Sequence, residues 1–91
     1  MKLKFFATFR SFTRCKEEDV VAPTTVWDLL LSLSERYGAS FSKKLLSPDG
    51  SEINEETIIM VNGLNILHLD GKNTPLTETD IVSIFPVVAG G

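Results

Sequence analysis

The chain has 91 residues, 43% of them hydrophobic and 23% charged, which is the composition of one folded domain rather than a disordered segment. Its net charge of −3 and pI of about 5.0 argue against general nucleic-acid binding. The charge is unevenly placed: residues 1–16 carry five Lys or Arg and no acid, residues 17–80 carry all twelve acids, and residues 81–91 carry none. A basic stripe beside an apolar tail suits an acidic partner. Cys15 is the only cysteine, so an internal disulfide is excluded and a reducing cytoplasm is expected. No apolar run reaches membrane-spanning length, and the basic, Phe-rich start lacks a signal peptide's long apolar core.

In chain order, Lys2 to Phe12 alternates, with Leu3, Phe5, Ala7 and Phe9 on one face and Lys4, Phe6, Thr8 and Arg10 on the other. This predicts a long first strand with one apolar face, Phe6 standing out on the polar side. The polar stretch 14–19 reads as a turn, and Val20 to Ala22 as a short second strand hairpinned onto the first and closed by Pro23. Thr25 is a good N-cap with Asp28 three residues on, and Val26, Leu29, Leu30, Leu33 and Tyr37 fall at helical spacing up to a stop at Gly38. Trp27 and Leu31 broaden that face. Phe41 to Leu46 suggests a second short helix before the turn Ser47-Pro-Asp-Gly50. Ile58 to Val61 reads as a strand, Asn62-Gly63 as a hairpin turn, and Leu64 to Leu69 as its return strand.

The last stretch organises the rest. Ile81 to Phe85 is β-forming, with Val82 and Ile84 facing inward and Ser83 and Phe85 outward. Pro86, which has no N–H, marks where the strand leaves the sheet. Val87, Val88, Ala89, Gly90 and Gly91 then diminish in size to a bare glycine pair, forming a flexible tail over 87–91 on a single domain spanning 1–91. Such a tail can be threaded into a narrow site. The reactive group would be the carboxylate of Gly91, a poor electrophile until activated, most simply by adenylation. Glycine leaves the acyl carbon unhindered. Elsewhere the sequence offers no phosphate loop, catalytic triad or zinc-ligand cluster. His68 has no partner ligand at metal spacing, and Cys15 reads as an inert loop thiol. The pattern predicts an α+β roll, a mixed sheet covered on one face by one main helix.

The segments Lys4-Phe-Phe-Ala-Thr-Phe-Arg10, Thr25-Val-Trp-Asp-Leu29, Val61-Asn-Gly63, Pro75-Leu-Thr-Glu-Thr-Asp80 and Phe85-Pro-Val-Val-Ala-Gly-Gly91 together resemble the MoaD/ThiS-type family of sulfur carriers, which includes the small subunit of molybdopterin synthase. The resemblance implies a β-grasp, ubiquitin-like fold with the first and last strands as parallel neighbours. It implies an E1-like adenylating enzyme that uses ATP on Gly91, with Gly90 beside it. It also implies a sulfur donor of the cysteine desulfurase or rhodanese type, and a thiocarboxylate passed to the synthase's large subunit to build the pterin dithiolene. No cofactor or metal is expected on the chain itself. Phe6 and Phe85 would form an exposed aromatic pair that docks partners together with Pro86, Val87, Val88 and Ala89. Two departures stand out: Val87 replaces a proline found in many members, and residues 38–57 form a longer, acidic insertion. Two other readings stay open, a carrier for thiamine thiazole or another sulfurated product, and a ubiquitin-like modifier conjugated to lysines.

Overall fold

A computed structural model describes residues 1–87. Its elements are β1 (Lys2–Phe5), α1 (Thr8–Thr13), β2 (Glu17–Asp19), α2 (Val26–Tyr37), α3 (Ala39–Leu45), β3 (Thr57–Val61), β4 (Leu64–Asn65) and β5 (Ile81–Pro86). Short 3₁₀ turns at Ile66–His68 and Gly71–Asn73 link the last two strands. The sheet order is β2-β1-β5-β3-β4. β1 and β5 run parallel, Leu3 beside Val82 and Phe5 beside Ile84, while β3 flanks β5 antiparallel with Ile59 opposite Ile84. This is the expected ubiquitin-like roll, with its last strand at the centre.

The inward residues of these strands are almost completely buried: Leu3, Phe5, Ile59, Val82 and Ile84. Against them lie Val26, Leu29, Leu30 and Leu33 of α2, the stripe that the helical spacing predicts. The hydroxyl oxygen of Thr25 accepts the N–H of Asp28 at 3.2 Å, satisfying one free donor of the first turn. Gly38 ends α2 and starts α3 with φ 86° and ψ −174°, a region open essentially to glycine alone. The chain can therefore turn sharply and bring Phe41 and Leu45 of α3 into the same core. Phe41 meets Phe5, Phe9, Phe12 and Tyr37 with ring centroids 5.1 to 6.4 Å apart. The insertion 38–57 is thus partly core. Its acidic loop is pinned by Asn54, whose Nδ2 donates to the carbonyls of Lys43 and Leu46, both at 3.2 Å. Trp27 packs on the core's flank beneath the Lys72 ammonium, 4.8 Å from its ring centre, whereas Leu31 is exposed and does not broaden the buried face.

Several expectations are corrected. The first strand stops at Phe5, because Ala7 takes φ 52° and the chain then winds into α1; Ala7 is exposed, not inward. Phe9 is buried as expected, but from a helix. The second strand is Glu17–Asp19, not Val20 to Ala22, and helix α1 rather than a tight turn joins it to β1. Its acids sit opposite lysines (Asp19 by Lys2, Glu17 by Lys4), and the Lys2 ammonium reaches Glu17 at 3.1 Å. The return strand after Asn62-Gly63 is only Leu64–Asn65. There the Asn65 side chain accepts the N–H of Leu67 at 2.9 Å and turns the backbone into a 3₁₀ coil. Finally, β5 includes Pro86, opposite Thr57. Alternate residues of β5 bond to alternate neighbours: the carbonyl of Ile84 accepts from Phe6, and the N–H of Val87 donates to Glu56 at 2.8 Å. The proline's missing N–H falls on the β1 side, where β1 has already left the sheet, so no ladder bond is lost.

Candidate functional site

The two aromatics singled out in the sequence meet. Phe6 follows the last residue of β1, and its N–H donates to the Ile84 carbonyl at 3.1 Å. That bond holds its ring beside Phe85, at 5.7 Å between centroids and 83° between planes, the edge-to-face geometry favoured by aromatic quadrupoles. Phe6 is exposed and Phe85 half-buried. The Arg10 guanidinium lies 6.0 Å from the Phe6 ring centre, and its Nε donates to the Phe5 carbonyl at 3.4 Å. The unexpected helix α1 is what carries Arg10 there.

Strand register extends the patch. Ile58 lies opposite Phe85 and Met60 opposite Ser83, on the face alternate to buried Ile59 and Val61. Ile81 is exposed at the start of β5. Phe6, just beyond β1, thus joins Ile81 and Phe85 of β5 and Ile58 and Met60 of β3 in an apolar strip on the side away from α2, with Ser83 within it and Lys2 and Lys4 of β1 along its flank. Sequence reading missed Ile58, Met60 and Ile81. The signal was available, since in Ile58-Ile-Met-Val61 both faces of a strand are apolar, which a sheet covered on one side does not require.

Where β5 ends, two clefts flank the chain. One, of about 470 Å³, includes Thr8, Lys43, Lys44, Glu56, Pro86 and Val87 in its lining. The other, of about 530 Å³, includes Ile58, Ile66, Leu67 and Val87. Pro86 is half-buried and lines the first cleft, while Val87 is exposed and lines both. Val88, Ala89, Gly90 and Gly91, on which the reading of the tail depends, lie outside the described residues.

The start of β5 is held by a separate network. The Asn62 side chain accepts the N–H of Ile81 at 2.9 Å and donates to Asp80 at 2.8 Å. Asp80 also accepts the N–H of Thr77 at 2.8 Å, and these bonds, that from Asn62 foremost, hold its carboxyl below the usual carboxylate range. Asp49 is pulled down to about 2 by the N–H of Ser51 and the hydroxyls of Ser47 and Ser51. Both groups order loops, Asp80 the turn before β5 and Asp49 the turn at Ser47–Ser51. Cys15 is half-buried between Thr13 and Lys16, and His68 is exposed in a 3₁₀ turn. Among the described residues no three His, Cys, Asp or Glu side chains gather as metal ligands, and no helix is long and apolar enough to cross a membrane.

The comparisons agree with this geometry. The ThiS family matches residues 3–91. Small archaeal modifier protein 3 of Haloferax volcanii is 40% identical over 93 residues, covering 100% of this chain and 98% of the relative. The solution structure of small archaeal modifier protein 1 from Methanosarcina acetivorans superposes with a TM-score of 0.82 at 33% identity, over 99% of this chain and 94% of that one. A putative molybdopterin converting factor, subunit 1, from Pyrococcus furiosus gives 0.74 at 27% identity, over 96% and 95%. The parallel pairing of the first and last strands, the paired aromatics and the extent of these matches lead to one assignment: the chain belongs to the ThiS/MoaD family of ubiquitin-like sulfur carriers and modifiers.

Proposed function

We propose that this protein carries sulfur on Gly91 for the dithiolene of molybdopterin, as the small subunit of molybdopterin synthase. The single observation that carries the proposal is the join of β5 to the outer apolar strip. The strand that leads to Gly91 also bears Ile81 and Phe85, so a partner gripping the strip holds the strand from which the chain continues to Gly91. Similarity to the Pyrococcus furiosus protein supports the pterin branch, and Phe85-Pro86 matches the ending expected there.

The chemistry follows from the carboxylate. An E1-like enzyme joins it to ATP, expelling pyrophosphate and leaving an acyl-adenylate. A sulfur nucleophile from a persulfide donor attacks the acyl carbon and AMP departs. Cleavage of the remaining S–S bond by a thiol reductant then leaves the thiocarboxylate. Gly90 and Gly91 offer no side chain to obstruct either attack. The chain contributes docking and delivery, and the partners contribute the acid, base and metal-nucleotide chemistry. Phe6, Phe85 and Pro86 would seat the partner, and Val87, Val88 and Ala89 would line its channel.

Incubation with a cognate adenylating enzyme, ATP and a persulfide donor is expected to exchange one carboxylate oxygen for sulfur, read by intact-mass spectrometry. Unchanged mass with a demonstrably active enzyme refutes the proposal. A second reading is favoured by the 40% identity to an archaeal modifier protein. In it, the same activated Gly91 is captured by a lysine amine of another protein. Isopeptide-linked Gly91 remnants on digested cell protein would establish that use; dithiolene formation with the purified large subunit would establish the first.

A further inference from the structure

β2 is an edge strand, with β1 as its one neighbour. Phe5 donates to the Lys16 carbonyl at 3.0 Å and Val20 to that of Met1 at 2.9 Å, with Leu3 and Glu18 paired between them. In an antiparallel ladder the intervening residues turn their backbone groups the other way. The N–H and C=O of Glu17 and Asp19 therefore face out of the sheet, a template for one more strand.

Beside this edge lies a cleft of about 320 Å³ between β2 and α2. Val20, Leu29 and Leu33 supply its apolar lining, and Ser32 and Arg36 its wall. Arg36 is fixed there by Glu18, with Nη1 donating to Oε1 at 2.6 Å. Val21, two residues beyond the strand, is 85% exposed. The opposite face of the edge is acidic. Lys2 is engaged with Glu17, and Asp19 has no ion pair among the described residues.

We infer that the β2 edge and the adjoining cleft bind an extended segment of a partner protein as a sixth strand, with aliphatic side chains turned into the cleft and Lys or Arg turned toward Glu17 and Asp19. A second copy of this chain is the wrong occupant, since it would set Glu17 and Asp19 against their own counterparts. The register places Asp19 beside Lys2 and Lys2 beside Ile81, so the site lies at the start of β5, at the opposite end of the strand from Pro86. A partner held there leaves the tail free to enter another protein. The inference does not depend on the fate of Gly91.

The test titrates the ¹⁵N-labelled full chain with an end-capped peptide of alternating Lys and Val. Saturable shifts are expected at the amides of Glu17, Asp19 and Val21 and at Ser32, Leu33 and Arg36. Asp19→Pro removes an outward N–H without touching the β1 ladder, and is expected to weaken binding at least tenfold. The Glu17→Lys/Asp19→Lys variant tests charge without altering the backbone: it is expected to exchange preference to an alternating Glu and Val peptide, even if the proline variant folds poorly. Shifts centred on Phe6 and Phe85, an absence of saturable shifts, charge preference unchanged in the double variant, or edge shifts that grow with protein concentration alone would each overturn the inference.

Discussion

Truncating Phe85 separates docking from folding. Its ring is half-buried, so Phe85→Ala forfeits about half of a full phenylalanine burial, roughly 1 kcal/mol. Losing the edge contact with Phe6 adds about 0.5–1.5 kcal/mol. The total, ~2 kcal/mol, lowers the melting temperature by roughly 10 °C for a domain of this size. That is more than the sequence suggested, since alternation alone placed Phe85 fully outside. It is still less than the ~3–5 kcal/mol expected for Phe5→Ala in the core. Binding is a different matter. An aromatic anchor at an interface centre contributes about 2 kcal/mol or more, and 1.4 kcal/mol is a factor of ten, so affinity for the proposed partner, the large synthase subunit, should fall at least roughly tenfold. Calorimetric titration well below the melting transition, with a melting curve on the same sample, measures both. Unchanged affinity together with a melting loss as large as that of Phe5→Ala would refute the assignment of this strip as a docking face.

Gly38→Ala should cost about 1–3 kcal/mol from backbone conformation alone, since an added Cβ meets nothing within 4 Å; a melting temperature equal to the parent's would refute that account. Asp49 has a lowered folded-state pKa, so its contribution is present above the unfolded value near 4 and disappears as pH falls toward about 2. Asp49→Asn should therefore be less stable than the parent at pH 6, with the gap closing by pH 2, as melting curves across that range would register. Cys15→Ala and His68→Ala should both retain thiocarboxylate formation by mass spectrometry, because neither side chain reaches the outer strip; loss of it in a folded Cys15→Ala protein would implicate the thiol.

Where local chemistry and tertiary packing agree, the sequence is legible. Thr25 and Asp28 mark the start of α2, the leucine spacing marks its buried side, and Asn62-Gly63 marks a hairpin that the structure keeps. The pairing of Phe6 with Phe85 followed from alternation combined with the parallel strands of the family. Helix α1 was hidden because Leu3, Phe5, Ala7 and Phe9 obey a strand's period, and the break falls at Ala7, a residue with no preference for positive φ. Phe9 and Phe12, three apart on one helical turn, both reach Phe41, a long-range contact invisible to local pattern. The acidic β2 was missed for a related reason. Glu17-Glu-Asp19 has no strong β-former, and its acids meet their partners, Lys2 and Lys4, only across the ladder.

The placement of β5 has a consequence for how the protein is made. Synthesis proceeds from the N-terminus at about 5–20 residues per second, so β1 emerges well before β5. Yet β1 finds its parallel partner only in Ile81–Ile84, and β3 finds its long antiparallel partner in the same strand. Until those residues clear the ribosome, β2-β1 and β3-β4 are two hairpin-like fragments without the strand that joins them, and α2 has only half a sheet to cover. A chain that stops before Val82 lacks the strand that β1 and β3 share, and is expected to remain unfolded. The sheet closes only once Ile81–Ile84 are free to pair with β1 and β3 together.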